Sequence, residues 1–154
     1  MTRAPPFPDP TVQLCAFFVG AAEYAIDIMR IDEILQPQRF TEVPDAPPWV
    51  LGVMNLREAL VPVIDLRRRL GVISRAPPRY KPKWLVAFVG RRRVALAVDG
   101  VSEVLRVPRS ALKPVPPFVQ HGLHPAVIGA CGPPDRTRLL LHLKALLQQE
   151  DEHP

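Results

Sequence analysis

The chain has 154 residues, a net charge of +5 and a pI near 9.8, enough for one domain or two very small ones sharing a core. Hydrophobic residues make up 47% of it, a globular value, yet no apolar run approaches the ~20 residues needed to cross a bilayer. Twenty prolines argue against long helices and for short strands joined by stiff loops.

The opening MTRAPPFPDP has no apolar signal core, so residues 1–11 are expected to form a disordered tail on a protein that stays in the cytoplasm. An apolar run at 12–19 ends at Gly20, and after a turn at 21–23 the pattern resumes over 24–28, predicting a hairpin. A third strand is predicted at 31–35, stopped by Pro37. Residues 43–49 (VPDAPPW) form a proline-fixed loop, and a second hairpin spans 50–56 and 60–64 around Arg57, Glu58 and Ala59. Asp65 is suited to cap a brief helix at 66–70 that Gly71 would end. After a proline-rich linker at 74–83 the order repeats. Strands are predicted at 84–89, 94–98 and 101–107, followed by a proline loop at 108–117. Strands at 126–131 and 138–143 and an amphipathic helix at 144–149 then precede a charged tail, residues 148–154.

This replay is an internal repeat. Residues 16–35 lie over 86–105 without a gap, so that Phe18, Val19, Gly20, Ala25, Glu33 and Leu35 recur as Phe88, Val89, Gly90, Ala95, Glu103 and Leu105. Further on the offset grows to 77, with Leu51-Gly52 over Ile128-Gly129 and VIDLR (63–67) over LLHLK (140–144). A repeat this long is too long for a solenoid and implies two similar units, about 12–73 and 84–147. Short strands with glycine and proline between them indicate a mainly β protein of small barrels or sandwiches, five strands per unit. Each unit alone would bury little surface, so chain crossover between the halves is expected.

Chemistry is largely missing. There is no G-x-S-x-G, H-E-x-x-H, phosphate loop or dinucleotide fingerprint, and neither Ser102 nor Ser110 has a base in the pattern. His121 and His124 lack a carboxylate or cysteine cluster that would complete a metal site. Cys15 and Cys131 belong to no C-x-x-C and read as reduced, buried thiols. An enzyme, a metal and a cofactor are therefore not expected. Arginine triplets at 67–69 and 91–93 read either as a solvated basic surface or as a basic small-barrel nucleic-acid binder, but no aromatic residue interleaves with them to stack bases. Polar residues set into apolar strands stand out: Glu33, repeated as Glu103, and Asn55 with Arg57 at a hairpin end. They read as an internal salt bridge or an ordinary hairpin tip, or else as a recognition surface anchored by arginine.

EYAIDIMRIDEIL (23–35), VPDAPPWVLGVMNLR (43–57), VPVIDLRRRLG (61–71) and ALAVDGVSEVLRV (95–107) closely resemble the CheW family of bacterial chemotaxis coupling proteins. The resemblance runs over about 12–147, in the same order and spacing. It implies a single CheW-like domain of two intertwined five-stranded SH3-like β-barrels with a short C-terminal helix. It further implies a cytoplasmic adaptor, recruited to receptor arrays at the inner membrane, that joins the chemoreceptor cytoplasmic tip to the regulatory domain of a CheA-type histidine kinase. The receptor-facing residues it implies are Ile31, Glu33, Leu51, Gly52, Val53, Asn55 and Arg57. The kinase contact is expected at barrel ends and is assigned to no residue; neither nucleic acid nor membrane insertion is expected. Two positions depart from the family pattern: Glu58 follows Arg57 where N-L-R-G is usual, and His142 replaces an aspartate. Both suggest a divergent adaptor, in the extreme one that binds only one of the two partners.

Overall fold

The computed structural model describes residues 10–116, 119 and 122–148. The expected tails, apart from the residues next to the domain, and His121 lie outside these. Eleven strands run in chain order as β1 (Thr11–Val19), β2 (Ala22–Asp27), β3 (Ile31–Leu35), β4 (Val50–Leu56), β5 (Ala59–Asp65), β6 (Lys83–Val89), β7 (Arg92–Val98), β8 (Gly100–Pro108), β9 (Lys113–Pro114), β10 (Val127–Cys131) and β11 (Arg138–Leu141). Two one-turn helices follow the last long strand of each half, α1 (Leu66–Leu70) and α2 (Leu143–Leu147). Strand β1 starts at the last residue of the expected tail, one residue earlier than its pattern predicts, with Thr11 opposite Pro108. The second strand ends at Asp27, and Ile28–Arg30 form a 3-10 turn capped by the Asp27 carboxylate, which accepts from the Met29 amide at 2.9 Å.

The strands form two sheets, ordered β8-β1-β2-β11-β10-β9 and β3-β6-β7-β5-β4. Each therefore mixes strands from both halves, and the exchange is reciprocal. The parallel pair β5/β7 sets Val63 opposite Ala95, and the parallel pair β11/β2 sets Leu140 opposite Ala25. These are the same pair under the two sequence offsets. Likewise β3/β6 sets Glu33 opposite Val86, while β8/β1 sets Glu103 opposite Ala16. The intertwining expected from the repeat is thus present residue by residue. The extra strand of the larger sheet is β9, two residues pairing with Gly129 and Ala130. Its counterpart in the first half is a single bridge between Thr41 and Val53.

Those two closures explain the repeated glycine. A methyl group on Gly52 would collide with the Thr41 carbonyl, and one on Gly129 would lie 2.7 Å from the Lys113 carbonyl. Only glycine lets the closing segment approach strand β4 or β10 this closely. The seven-residue growth of the offset falls in the segment before β10, where the second half carries β9.

Burial is divided in three. A shared core lies between the sheets, built on Phe17, Ile26, Leu66, Leu85, Leu96 and Leu146 from both halves. Met54, Val61, Val63, Trp84, Val86 and Ala95 fill the barrel of the five-stranded sheet, and Leu14, Ala25, Cys131 and Leu140 fill the other. Cys131 occupies the place that Met54 holds in the first barrel, so its thiol acts as a small apolar filler. Both cysteines are buried as expected.

Helices of five residues do not persist alone; here each is held by caps and packing. Asp65 accepts from the amides of Arg67 and Arg68, and Gly71 ends α1 in the left-handed conformation, as its sequence predicts. His142, at the matching position, caps α2 by accepting from the Ala145 amide at 3.2 Å. The imidazole that replaces the usual aspartate thus does the same capping task. Helix α2 begins one residue earlier than predicted and buries Leu143 and Leu146. Arg69 donates to the Leu146 and Gln148 carbonyls, holding the end of the chain against the first half.

Candidate functional site

The hairpin β4/β5 turns on two residues, with Leu56 opposite Ala59. Arg57 and Glu58 both have positive φ, 49° and 69°, the geometry of a type I′ turn, which matches the twist of the flanking strands. The Asn55 side chain steadies the turn by accepting from the Glu58 amide at 3.1 Å. Arg57 leaves this turn and reaches across to β3, at the opposite edge of the same sheet. Its Nη2 lies 2.6 Å from Glu33 Oε2, and its Nη1 lies 4.0 Å from Asp32 Oδ2. Asp32 in turn pairs with Arg93 at 3.0 Å, whose guanidinium lies over the Phe88 ring.

A charged cluster therefore bridges the two edges of the first barrel. Of the seven residues implied by the resemblance, the structure brings Glu33 and Arg57 into contact and sets Asn55 at the turn that aims Arg57. Val53 is half-buried and exchanges both backbone hydrogen bonds with Thr41. Ile31 is half-buried against the shared core and Leu51 against the first barrel's core. Gly52 is buried, so it shapes this surface from beneath and does not line it. Asp32 and Arg93 belong to the cluster and escaped the sequence reading. The signal was present in a second acid beside Glu33 and an arginine triplet one strand away, but nothing in one dimension pairs them.

Arg57 is 62% exposed and Glu33 22%. The ion-pair reading of these polar residues therefore holds for Arg57 and Glu33, while most of the arginine side chain stays exposed. An arginine already held by one carboxylate presents its other N–H groups in a fixed fork, at less ordering cost than a free side chain.

The repeated glutamate has a different setting. Glu103 pairs with Arg138 and lies 3.6 Å from Arg136, and both arginines also hold Glu23. Glu23 and Arg138 have side chains only 5% and 6% exposed, and Ser102 donates to Glu23 at 2.6 Å. Burial alone would raise the Glu23 pKa. Hydrogen bonds from Arg136 and Ser102, with the charge and hydrogen bond of Arg138, more than offset it and hold the carboxyl below its usual value. Ser102 is therefore part of a structural ion network. Burial pushes the Cys15 thiol up to about 11.

Of the arginine triplets, Arg67 pairs with Asp99 at 3.1 Å, Arg68 with Asp65 at 3.4 Å, and Arg69 stacks over Trp49 while holding the end of α2. Among the described residues no group of three or more His, Cys, Asp or Glu side chains could hold a metal ion, and no helix is long and apolar enough to cross a membrane.

Residues 13–151 match the family of CheW-like domains. The chain is 34% identical over 139 residues to a probable chemotaxis protein CheW of Rhizobium etli, covering 90% of this chain and 89% of that one. It is 31% identical over 137 residues to the chemotaxis protein CheW of Klebsiella aerogenes, covering 88% and 81%. Its fold matches the crystal structure of the scaffolding protein TtCheW from Thermoanaerobacter tengcongensis with a TM-score of 0.82 at 24% identity, over 93% of this chain and 97% of the other. A sequence match over nearly the whole length and a shared pair of intertwined barrels agree: the chain belongs to the CheW family of non-catalytic chemotaxis scaffold proteins.

Proposed function

We propose that this chain is a cytoplasmic coupling adaptor that links chemoreceptor tips to the regulatory domain of a CheA-type histidine kinase within receptor arrays. The observation that carries this reading is the Arg57–Glu33 pair at 2.6 Å, joining β3 to the β4/β5 turn at a partly exposed surface. A receptor tip is a helical hairpin, and an amphipathic helix binds by laying its apolar face in a groove while polar residues fix register. Ile31, Leu51 and Val53 would supply apolar area, Asn55 and Arg57 the polar contacts, and Glu33 and Gly52 the geometry behind them. The functional unit is the whole of 12–147, since each sheet draws on both halves and neither could close alone. The kinase regulatory domain would dock on a barrel end.

Titration with a receptor cytoplasmic fragment tests the receptor surface. Arg57→Asp should weaken binding by about tenfold or more while the thermal melt stays cooperative; unchanged affinity would sink the assignment. A pull-down against that fragment and against a CheA regulatory domain tests coupling itself, which requires capture by both.

A second reading, a modulator that binds the kinase domain alone, is favoured by Glu58. It stands at φ 69°, where the family glycine would be unstrained, and sets a carboxylate beside Arg57. On this reading Glu58→Gly restores receptor binding, and no gain counts against it. The nucleic-acid reading loses its support, because four of the six triplet arginines are committed to internal carboxylates or carbonyls.

A further inference from the structure

The two remaining triplet residues, Arg91 and Arg92, are exposed and make no ion pair or side-chain hydrogen bond among the described residues. They stand on the rim of a cleft of about 700 Å³ between the β6/β7 turn, the start of β5 and the end of α2. Its walls are apolar: Leu60, Pro62, Phe88, Val89 and Leu147. Leu60 is 73% exposed there, a large side chain left in water beside a concavity. Phe88 and Val89 also line a second hollow of about 430 Å³ around the same turn, where Arg30, Lys144 and His142 face the opening. Among the described residues the only carboxylate lining either hollow is Asp27, and it is engaged by the Met29 amide.

The cleft thus offers an apolar floor beneath the unpaired Arg91 and Arg92, and it adjoins the Arg57–Glu33 cluster through Arg93, which lines it and pairs with Asp32. We propose that it is a docking site for an acidic amphipathic segment of a partner protein. Apolar side chains of the segment would fill the floor over Phe88 and Val89 and cover Leu60, while its carboxylates would pair with Arg91 and Arg92. A small free anion fits less well, since the guanidinium that lies over the Phe88 ring of the floor, that of Arg93, is already paired with Asp32. A lipid surface fits less well than a peptide, because Pro62, Phe88, Val89 and Leu147 are recessed behind the exposed Leu60, and a bilayer is engaged by a protruding apolar face. The rim cations add steering of an acidic segment, an effect that weakens with salt.

The test is fluorescence anisotropy of the purified full chain with a labelled synthetic peptide carrying leucines at helical i, i+3, i+4 and i+7 positions and glutamates beside them. A second peptide has lysines in place of the glutamates. Expected is salt-sensitive binding of the acidic peptide, weakened about tenfold or more in the Arg91→Glu/Arg92→Glu variant, with the lysine peptide preferring that variant. Both positions are exposed, and a thermal melt checks that the variant folds. Leu60→Ser should also weaken the acidic peptide, which separates cleft binding from charge attraction alone. No binding at millimolar peptide, binding indifferent to the charge reversal, or co-sedimentation with phosphatidylserine vesicles that the peptide fails to displace would overturn the proposal.

Discussion

Glu58→Gly isolates a backbone cost from every side-chain effect. Glu58 is exposed and lies at φ 69°, in the left-handed region, which costs a non-glycine residue roughly 1–2 kcal/mol. Its amide donates to Asn55, a bond that glycine keeps, and its carboxylate forms no ion pair among the described residues. Glycine relieves the strain but loses more freedom on folding, about 0.5–1 kcal/mol. The net is a stabilisation of about 0.5–1 kcal/mol, or a rise in Tm of about 1–4 °C for a chain of this size.

Urea melts measure this directly: the midpoint should move up with the slope m unchanged. Arg57→Gly is the control. It relieves similar strain at φ 49° but removes the pair with Glu33, an exposed bridge contributing about 0–1 kcal/mol, so its gain should be smaller than that of Glu58→Gly. A loss of stability in Glu58→Gly would refute the reasoning, since it would require a stabilising contact of the glutamate that outweighs the strain.

Gly129→Ala should cost about 2 kcal/mol, because the backbone of Lys113 must retreat to admit the methyl group; an unchanged urea midpoint would mean the closing strand is not held there. Cys15, wholly buried and with its thiol pushed up to about 11, should resist a thiol reagent at pH 8 until denaturant is added, and prompt native labelling would contradict its place in the core. Glu23→Gln should cost about 3 kcal/mol at neutral pH, leaving the buried Arg138 short of a charge partner. The folded pKa of Glu23 lies below its unfolded value, so its contribution is complete above roughly pH 5 and fades as pH falls through the folded pKa. The gap between the native chain and Glu23→Gln in urea melts should therefore narrow toward acid, and a gap that widens would reverse the assigned sign.

The strands were legible because apolar alternation and punctuation by glycine and proline are local properties. Asp65 and Gly71 were legible as helix caps for the same reason, and β3 falls where its pattern puts it. Strand β9 was not: Lys113-Pro114 carries no strand signal, and it pairs only because Gly129 admits it. The ion network around Glu23 was hidden by distance, since its arginines lie more than 110 residues away in the chain. Glu33 and Arg57 could be singled out as polar residues in apolar strands. Their contact across the barrel, and the part taken by Asp32 and Arg93, depends on sheet closure, which no local pattern encodes.

The same closure explains how a chain with two near-identical halves can present unlike surfaces. The exchange of strands fixes both barrels with matching registers, so the shared core and the two closing glycines are constrained alike in each half. What differs is the charge set on that frame. In the first barrel Glu33 meets an arginine that is 62% exposed, while in the second Glu103 meets Arg138, 6% exposed, and lies near Arg136, and both of these are already held by Glu23. A buried arginine locked between two carboxylates has little left to offer a partner, whereas an exposed one held by a single glutamate is oriented and still has donors free. Duplication supplied two equivalent edges. The proposed receptor surface needs only this difference in burial, an arginine left open at the first edge and one locked away at the second, to be confined to one half.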